Sequence, residues 1–103
     1  MTIEKQKIYH CSTKNNAVFF LQLCEEQGIC WRDNRNATYH DIWNEHQVDT
    51  CYYVHEDGKM TYGSKDFFNE EYPHLEMISI KATQIKKERK AIDLAWKQMV
   101  GIA

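Results

Sequence analysis

The sequence predicts an α+β fold, with a four- to five-stranded, mostly antiparallel sheet and helices packed mainly on one face. Three observations lead to this prediction. A strand-like segment, an amphipathic helix and a second strand-like segment follow one another over residues 7–32. An Asp-Gly turn joins two alternating segments near the middle of the chain, and helical spacing returns near its end. The 103 residues suffice for one domain, and we expect residues 1–103 to form it.

The first unit is a strand, a helix and a strand. Residues 7–12 are rich in types that suit a pleated surface, which predicts the first strand. Ser12 or Thr13 can cap a helix over residues 15–27. Four apolar residues fall on one face of that helix at i, i+3, i+4 and i+7: Ala17, Phe20, Leu21 and Cys24. Residues 29–32 predict a short second strand, parallel to the first if the two share a sheet.

The middle of the chain predicts a β-hairpin. Three side chains in residues 39–47 share a helical face, which predicts a short helix: Tyr39, Trp43 and His46. Residues 50–55 then read as a strand and residues 60–63 as its returning partner. Between them Asp57 and Gly58 supply the backbone freedom that a tight turn requires.

The last third of the chain predicts two helices and one strand. Ser64 can cap a short helix that runs to Tyr72, and Pro73 would end it. Residues 76–80 alternate in hydropathy and predict the last strand. Residues 83–100 carry an apolar stripe at helical spacing, which predicts a C-terminal helix.

Charge divides the chain into two parts. Residues 1–80 carry seven Lys or Arg and thirteen Asp or Glu, a balance of −6, whereas residues 81–103 carry six and two, a balance of +4. We therefore expect an acidic α+β body over 1–80 and a basic helix over 81–103. An acidic body is a poor match for phosphate backbones and suits a basic protein partner, although ordinary solvated charge explains it equally well. The carboxylates predicted to bind the partner are Asp41, Glu45, Asp49, Glu56, Asp57, Asp66, Glu70 and Glu71.

Five His and four Cys raise the question of a metal site. No Cys-x-x-Cys pair occurs, so zinc would require ligands from separate segments. The candidate ligands, which the hairpin could bring together, are His40, His46, Cys51 and His55. The alternative is that the cysteines are reduced core thiols that behave as small hydrophobic residues, and we expect no cofactor on that interpretation.

No catalytic motif is present, and we predict that the protein is not an enzyme. His10 and Cys11 are neighbours on a predicted strand and would point to opposite faces. Cys51 and His55 would share a face but lie about 13 Å apart along it, which is too far for a hydrogen bond.

No apolar run approaches the length of a membrane span, and residues 1–7 are too polar for a signal peptide. We therefore expect a cytoplasmic protein with reduced thiols.

Four segments carry a resemblance: Glu25–Trp31, Asp49–Val54, Gly58–Ser64 and Lys65–Pro73. Over about residues 17–80 the chain resembles small uncharacterised proteins of phages and mobile elements of Gram-positive bacteria. Its short length and acidic body also resemble the profile of type II anti-CRISPR proteins. The resemblance implies a non-enzymatic inhibitor in the cytoplasm of an infected bacterium. Anti-CRISPR proteins share no common motif, so the resemblance assigns no functional residue.

Two functional hypotheses follow. The first is a phage-type inhibitor, monomeric or dimeric, whose acidic surface binds the host CRISPR-associated nuclease or another basic defence protein. The alternative is a small nucleic-acid-binding regulator that uses the basic C-terminal helix. We expect direct nucleic-acid binding to be the less favoured of the two, because the charge of the body opposes it.

Overall fold

The computed structural model describes residues 1–81, and the helix predicted over residues 83–100 lies outside the described residues. The five strands are β1 (Lys7–His10), β2 (Cys30–Trp31), β3 (Thr50–Val54), β4 (Lys59–Ser64) and β5 (Met77–Ser79). The three α-helices are α1 (Lys14–Glu26), α2 (Trp43–His46) and α3 (Lys65–Glu71), and a short 3₁₀ helix (Gln47–Asp49) follows α2.

The strands form one mixed sheet in the order β2-β4-β3-β1-β5. The central pairs β1–β3 and β3–β4 are antiparallel, and the outer pairs β1–β5 and β2–β4 are parallel. The predicted α+β class with a mostly antiparallel sheet is therefore confirmed. Strands β1 and β2 run in the same direction, as a β-α-β step requires, but β3 and β4 lie between them.

Helix α1 builds the larger hydrophobic cluster. It begins after Thr13, whose side-chain oxygen accepts a hydrogen bond from the Asn16 amide at 3.1 Å. About two turns after Thr13, Phe20 is fully buried, and its ring centroid lies 5.0 Å from those of Tyr9 and Tyr52. These residues belong to the first cluster, which also contains Trp31 and Met60 of the β2–β4 pair.

Helix α3 contributes to a second, smaller cluster. Ser64 caps it by accepting a hydrogen bond from the Phe67 amide at 3.1 Å, as predicted. Its Phe68 is buried with Ile8 and Cys51, whereas the neighbouring Tyr9 and Tyr52 belong to the first cluster. Successive strand residues thus alternate between two clusters on opposite faces of the sheet. That the helices pack mainly on one face stays a prediction, since the C-terminal segment lies outside the described residues.

The predicted hairpin is confirmed. Gly58 has φ +79°, and its amide donates to the carbonyl of His55 at 3.0 Å. The Asp57 carboxylate accepts a hydrogen bond from the Lys59 amide at 3.0 Å, which closes the turn. Glycine is favoured here because the left-handed region costs an L side chain free energy.

The helix predicted over residues 39–47 is shorter than expected. The chain turns at Asn36–Tyr39 instead, and the Asp41 side chain accepts a hydrogen bond from the Trp43 amide at 3.3 Å. Such a side-chain turn competes with helical hydrogen bonding, so the helix begins only at Trp43. It ends at His46, and the following Gln47 has φ +48°.

The four cysteines are free thiols. Cys11, Cys24 and Cys51 are buried, and Cys30 is partly buried. Burial raises the pKa of Cys24 and of Cys51 to about 12, and it raises the pKa of Cys11 further.

Within residues 1–81, no helix has both the length and the apolar character needed to cross a bilayer.

Candidate functional site

A cleft of about 370 Å³ lies beside the pairing of β2 with β4. This parallel pair places Trp31 opposite Met60, although 29 positions separate them in the chain. The turn after β2 and the segment before α2 complete the walls. The lining residues are Trp31, Arg32, Asp33, His40, Ile42, Met60, Thr61 and Tyr62.

Aromatic rings define the cleft. The indole of Trp31 is 4% exposed, and its Nε1 donates to the Ala37 carbonyl at 2.9 Å, which fixes the ring. Its centroid lies 5.4 Å from the ring of His40 and 5.9 Å from that of Tyr62, both nearly perpendicular to it. Tyr39 in turn lies 4.9 Å from His40 and is 60% exposed. A continuous row of rings therefore reaches from the core to the surface.

Charged groups surround one end of this row. His40 Nε2 lies 2.8 Å from Asp33 Oδ2, and the other Asp33 oxygen accepts from the Arg35 amide at 3.0 Å. These hydrogen bonds, first from the Arg35 amide and then from His40, lower the pKa of Asp33. The Arg35 guanidinium lies 4.3 Å above the ring centroid of Tyr39 and 3.8 Å from Asp33. The surface thus already holds one guanidinium against a ring and a carboxylate.

Two further carboxylates lie close to the lining residues Arg32 and Tyr62. Arg32 forms an ion pair with Asp57, whose pKa is lowered first by the Lys59 amide and then by Arg32. The carboxylate of Glu45, close to the Tyr62 hydroxyl, raises the pKa of Tyr62. The cleft therefore combines an apolar floor, the faces of aromatic rings and nearby carboxylate oxygens. This combination suits a flat cation.

The structure does not bring the four predicted metal ligands together. His40 contacts Trp31 and Asp33 beside the first cluster, and the ring of His46 lies 6.1 Å from that of Tyr62. Cys51 is buried in the second cluster, and His55, also on that face, lies 2.9 Å from the Thr61 hydroxyl.

A search of residues 1–81 finds no group of three or more His, Cys, Asp or Glu side chains placed to hold a metal ion. The zinc prediction therefore has no ligand set in this part of the chain.

All eight carboxylates predicted to bind a partner are exposed: Asp41, Glu45, Asp49, Glu56, Asp57, Asp66, Glu70 and Glu71. They do not form one surface. Asp49 and Asp66 flank the pair Thr50–Ser64, whereas the hairpin with Glu56 and Asp57 lies at the other end of β3, about 17 Å away at ~3.3 Å per residue. The adjacent Glu70 and Glu71 end α3.

The cleft itself was not predicted from the sequence. Arg32, Asp33 and Thr61 were not predicted as site residues, and His40 was assigned to metal. The polar run after the second strand was visible in the sequence. Its juxtaposition with Tyr62 depends on a parallel pairing between segments that are not neighbours in the chain, and local patterns do not specify such a pairing.

No protein-family model, curated protein or solved structure matches this chain.

Proposed function

We propose that the protein is a phage-type inhibitor that binds a basic bacterial defence protein stoichiometrically, with the CRISPR-associated nuclease as its target. The supporting observation is the set of exposed carboxylates on the body. Among residues 1–81, only Asp57 of the eight forms an ion pair with a described Lys or Arg side chain. The other seven carboxylates are exposed, and in this proposal their negative charge meets the positive charge of the partner.

The balance of paired and unpaired groups supports the same proposal. Lys7, Arg32 and Arg35 are each held by a carboxylate of the body itself, Glu76, Asp57 and Asp33 respectively. Each of these pairs takes up one basic and one acidic group, so the excess of six carboxylates over Lys and Arg in residues 1–80 is retained. A net negative field of this kind accelerates encounter with a positively charged protein and disfavours nucleic acid.

The resemblance to phage proteins gives the proposal its biological setting. A short acidic chain that occupies the basic nucleic-acid channel of a nuclease would inhibit it without any catalytic step. The profile of type II anti-CRISPR proteins, together with the acidic body, leads us to the nuclease rather than to another basic protein.

Neutralising the end of α3 tests the role of the acidic surface. We expect the double variant E70Q/E71Q to associate with the nuclease about three- to tenfold more slowly and with a weaker salt dependence, because exposed charges act mainly on the association rate. Surface plasmon resonance at two or more salt concentrations measures both quantities. A dissociation rate close to that of the wild type is expected.

The chain provides a matched control. The pair Glu25 and Glu26 also occupies the last turn of a helix, so E25Q/E26Q changes the net charge by the same amount at a helix end, although Glu25 also accepts a hydrogen bond from the Thr38 hydroxyl at 3.0 Å. The proposal requires a larger kinetic effect from the α3 pair. Equal effects from both pairs would mean that net charge alone acts, and no effect from either would contradict an acidic docking surface.

The nucleic-acid regulator is tested in the same format. A full-length variant with K86Q, K87Q, R89Q and K90Q removes four charges of the basic segment. We expect it to retain nuclease binding. Loss of nuclease binding, combined with DNA binding by the wild-type protein that the variant lacks, would favour the regulator instead.

A further inference from the structure

We propose that the cleft between Trp31, His40 and Tyr62 binds an arginine side chain of the basic partner. This inference rests on the proposed function, because the partner supplies the arginine. It adds to that proposal one specific binding site among acidic residues that lie on separate parts of the surface.

The shape and lining of the cleft suit a long side chain with a flat head. Its volume of about 370 Å³ is within the range of small-ligand sites, which begins at roughly 300 Å³. Ile42, Met60 and the buried Trp31 give an apolar floor for the methylene stem. The exposed ring of Tyr62 and the ring of His40 offer faces on which a guanidinium can stack.

Charge complementarity selects a cation as the occupant. Three carboxylates and three cations lie in or beside the cleft: Asp33, Glu45 and Asp57, and Arg32, Arg35 and Lys59. Both arginines already have carboxylate partners, Asp57 and Asp33. Lys59 Nζ donates to Asn34 Oδ1, whereas Glu45, close to the Tyr62 hydroxyl, forms no ion pair with a described Lys or Arg side chain and retains oxygens for an incoming donor.

The protein's own Arg35 shows how such a group would be held. Its guanidinium lies 4.3 Å over the ring of Tyr39 and 3.8 Å from the Asp33 carboxylate, on the same row of rings. Tyr62, whose ring contacts that of Trp31, also lies close to a carboxylate, that of Glu45. In that second arrangement the described residues provide no guanidinium over the ring, and we assign that position to the partner's arginine.

A phosphate-bearing ligand fits these groups poorly. Arg32 is the cation within the lining, and its ion pair with Asp57 would have to break to receive a phosphate. The nearby carboxylates would repel the same group. A nucleobase stacked on the rings is the remaining competitor, and the experiment below includes it.

The test uses the full-length protein and a blocked Gly-Arg-Gly peptide as the probe. The indole N–H signal of Trp31, assigned with Trp43→Phe and Trp96→Phe variants, reports occupancy in ¹⁵N–¹H NMR spectra. We expect a saturable shift with a dissociation constant on the order of 1 mM. The matched peptide with citrulline, which is isosteric but uncharged, is expected to bind about tenfold more weakly. Adenosine and uridine monophosphate are expected to leave the signal unchanged.

Variants of exposed residues confirm the location. Tyr62→Leu and Glu45→Gln are each expected to weaken peptide binding by about fivefold or more. Phe67→Leu is the control, since Phe67 is a similarly exposed ring, 47% against 37% for Tyr62, that packs beside the second cluster. Equal affinity for the arginine and citrulline peptides would overturn the proposal. So would tighter binding of a nucleotide, or an equal loss in Phe67→Leu.

The same variants separate this inference from the proposed function. If the peptide binds as expected but the nuclease does not bind the protein, the cleft assignment stands and the proposed target is wrong. If the nuclease binds Tyr62→Leu as tightly as the wild type, the cleft assignment is wrong and the acidic docking proposal stands.

Discussion

Replacing Phe20 by alanine is expected to lower the free energy of unfolding by about 3–5 kcal/mol, the range for deleting a buried phenyl ring. Phe20 is fully buried and lies between Tyr9 of β1 and Tyr52 of β3, 5.0 Å from each ring. Its removal leaves a cavity where α1 packs on the two central strands. Urea denaturation measures the change through the midpoint, with an unchanged slope if the folded state keeps its compactness.

Phe67→Ala is the matched control for this prediction. Phe67 lies on α3 with 47% of its surface exposed, so its truncation is expected to cost about 1 kcal/mol or less. A small effect at Phe20, or equal effects at the two positions, would contradict the packing of α1 against β1 and β3.

Alkaline pH is expected to unfold the protein steeply. Burial raises the pKa of Cys11, Cys24 and Cys51 well above the ordinary value of 9.0, with Cys24 and Cys51 at about 12. Above pH 9 the unfolded chain therefore loses thiol protons that the folded chain retains. The stabilisation is fully present below pH 9 and is lost as the pH rises toward 12. Each thiol lowers the free energy of unfolding by about 1.4 kcal/mol per pH unit in that window.

Three such thiols together lower the free energy of unfolding by about 4 kcal/mol per pH unit. At that slope the free energy of unfolding of a typical domain falls to zero within about two to three pH units. Urea denaturation at a series of pH values between 8 and 10 measures the slope, below the range in which the buried Tyr9 and Tyr52, whose pKa values are also raised by burial, add to it. Cys24→Ala is expected to reduce the slope by about one third while lowering the stability at neutral pH only modestly. A slope that is the same in wild type and Cys24→Ala would contradict burial of a protonated thiol at this position.

Elements with strong local determinants were predictable from the sequence. Thr13 and Ser64 cap their helices as expected, because a side-chain oxygen at each position reaches an amide three residues ahead. The Asp57-Gly58 turn formed the predicted hairpin for a similarly local reason, the positive φ of Gly58. These features depend on neighbours within a few residues, and the sequence pattern contains that information.

The start of α2 was predicted less well. The shared helical face of Tyr39, Trp43 and His46 favoured a helix from residue 39, but the hydrogen bond from the Trp43 amide to Asp41 delays it. Periodicity describes which residues can face the core together. It does not describe this competition between side chain and backbone.

Strand order and the cleft could not be predicted from local patterns. The sequence placed β1 and β2 in one β-α-β step, but only the assembled sheet inserts β3 and β4 between them. The pairing of β2 with β4 then brings Trp31 beside Tyr62 and creates the cleft. The same alternation of faces separates His40 and His46 from Cys51 and His55, which the metal hypothesis had grouped.

Titration of a CRISPR-associated nuclease with the full-length protein is the most direct test of the proposed function. Cleavage of target DNA by a type II nuclease from a Gram-positive host is measured at fixed enzyme concentration, well above the dissociation constant, as the protein is added. The account predicts that cleavage falls linearly and ends at about one chain, or one dimer, per nuclease. Unchanged cleavage at a large molar excess would contradict binding to this target, and full inhibition at a small fraction of one equivalent would contradict a stoichiometric, non-enzymatic inhibitor.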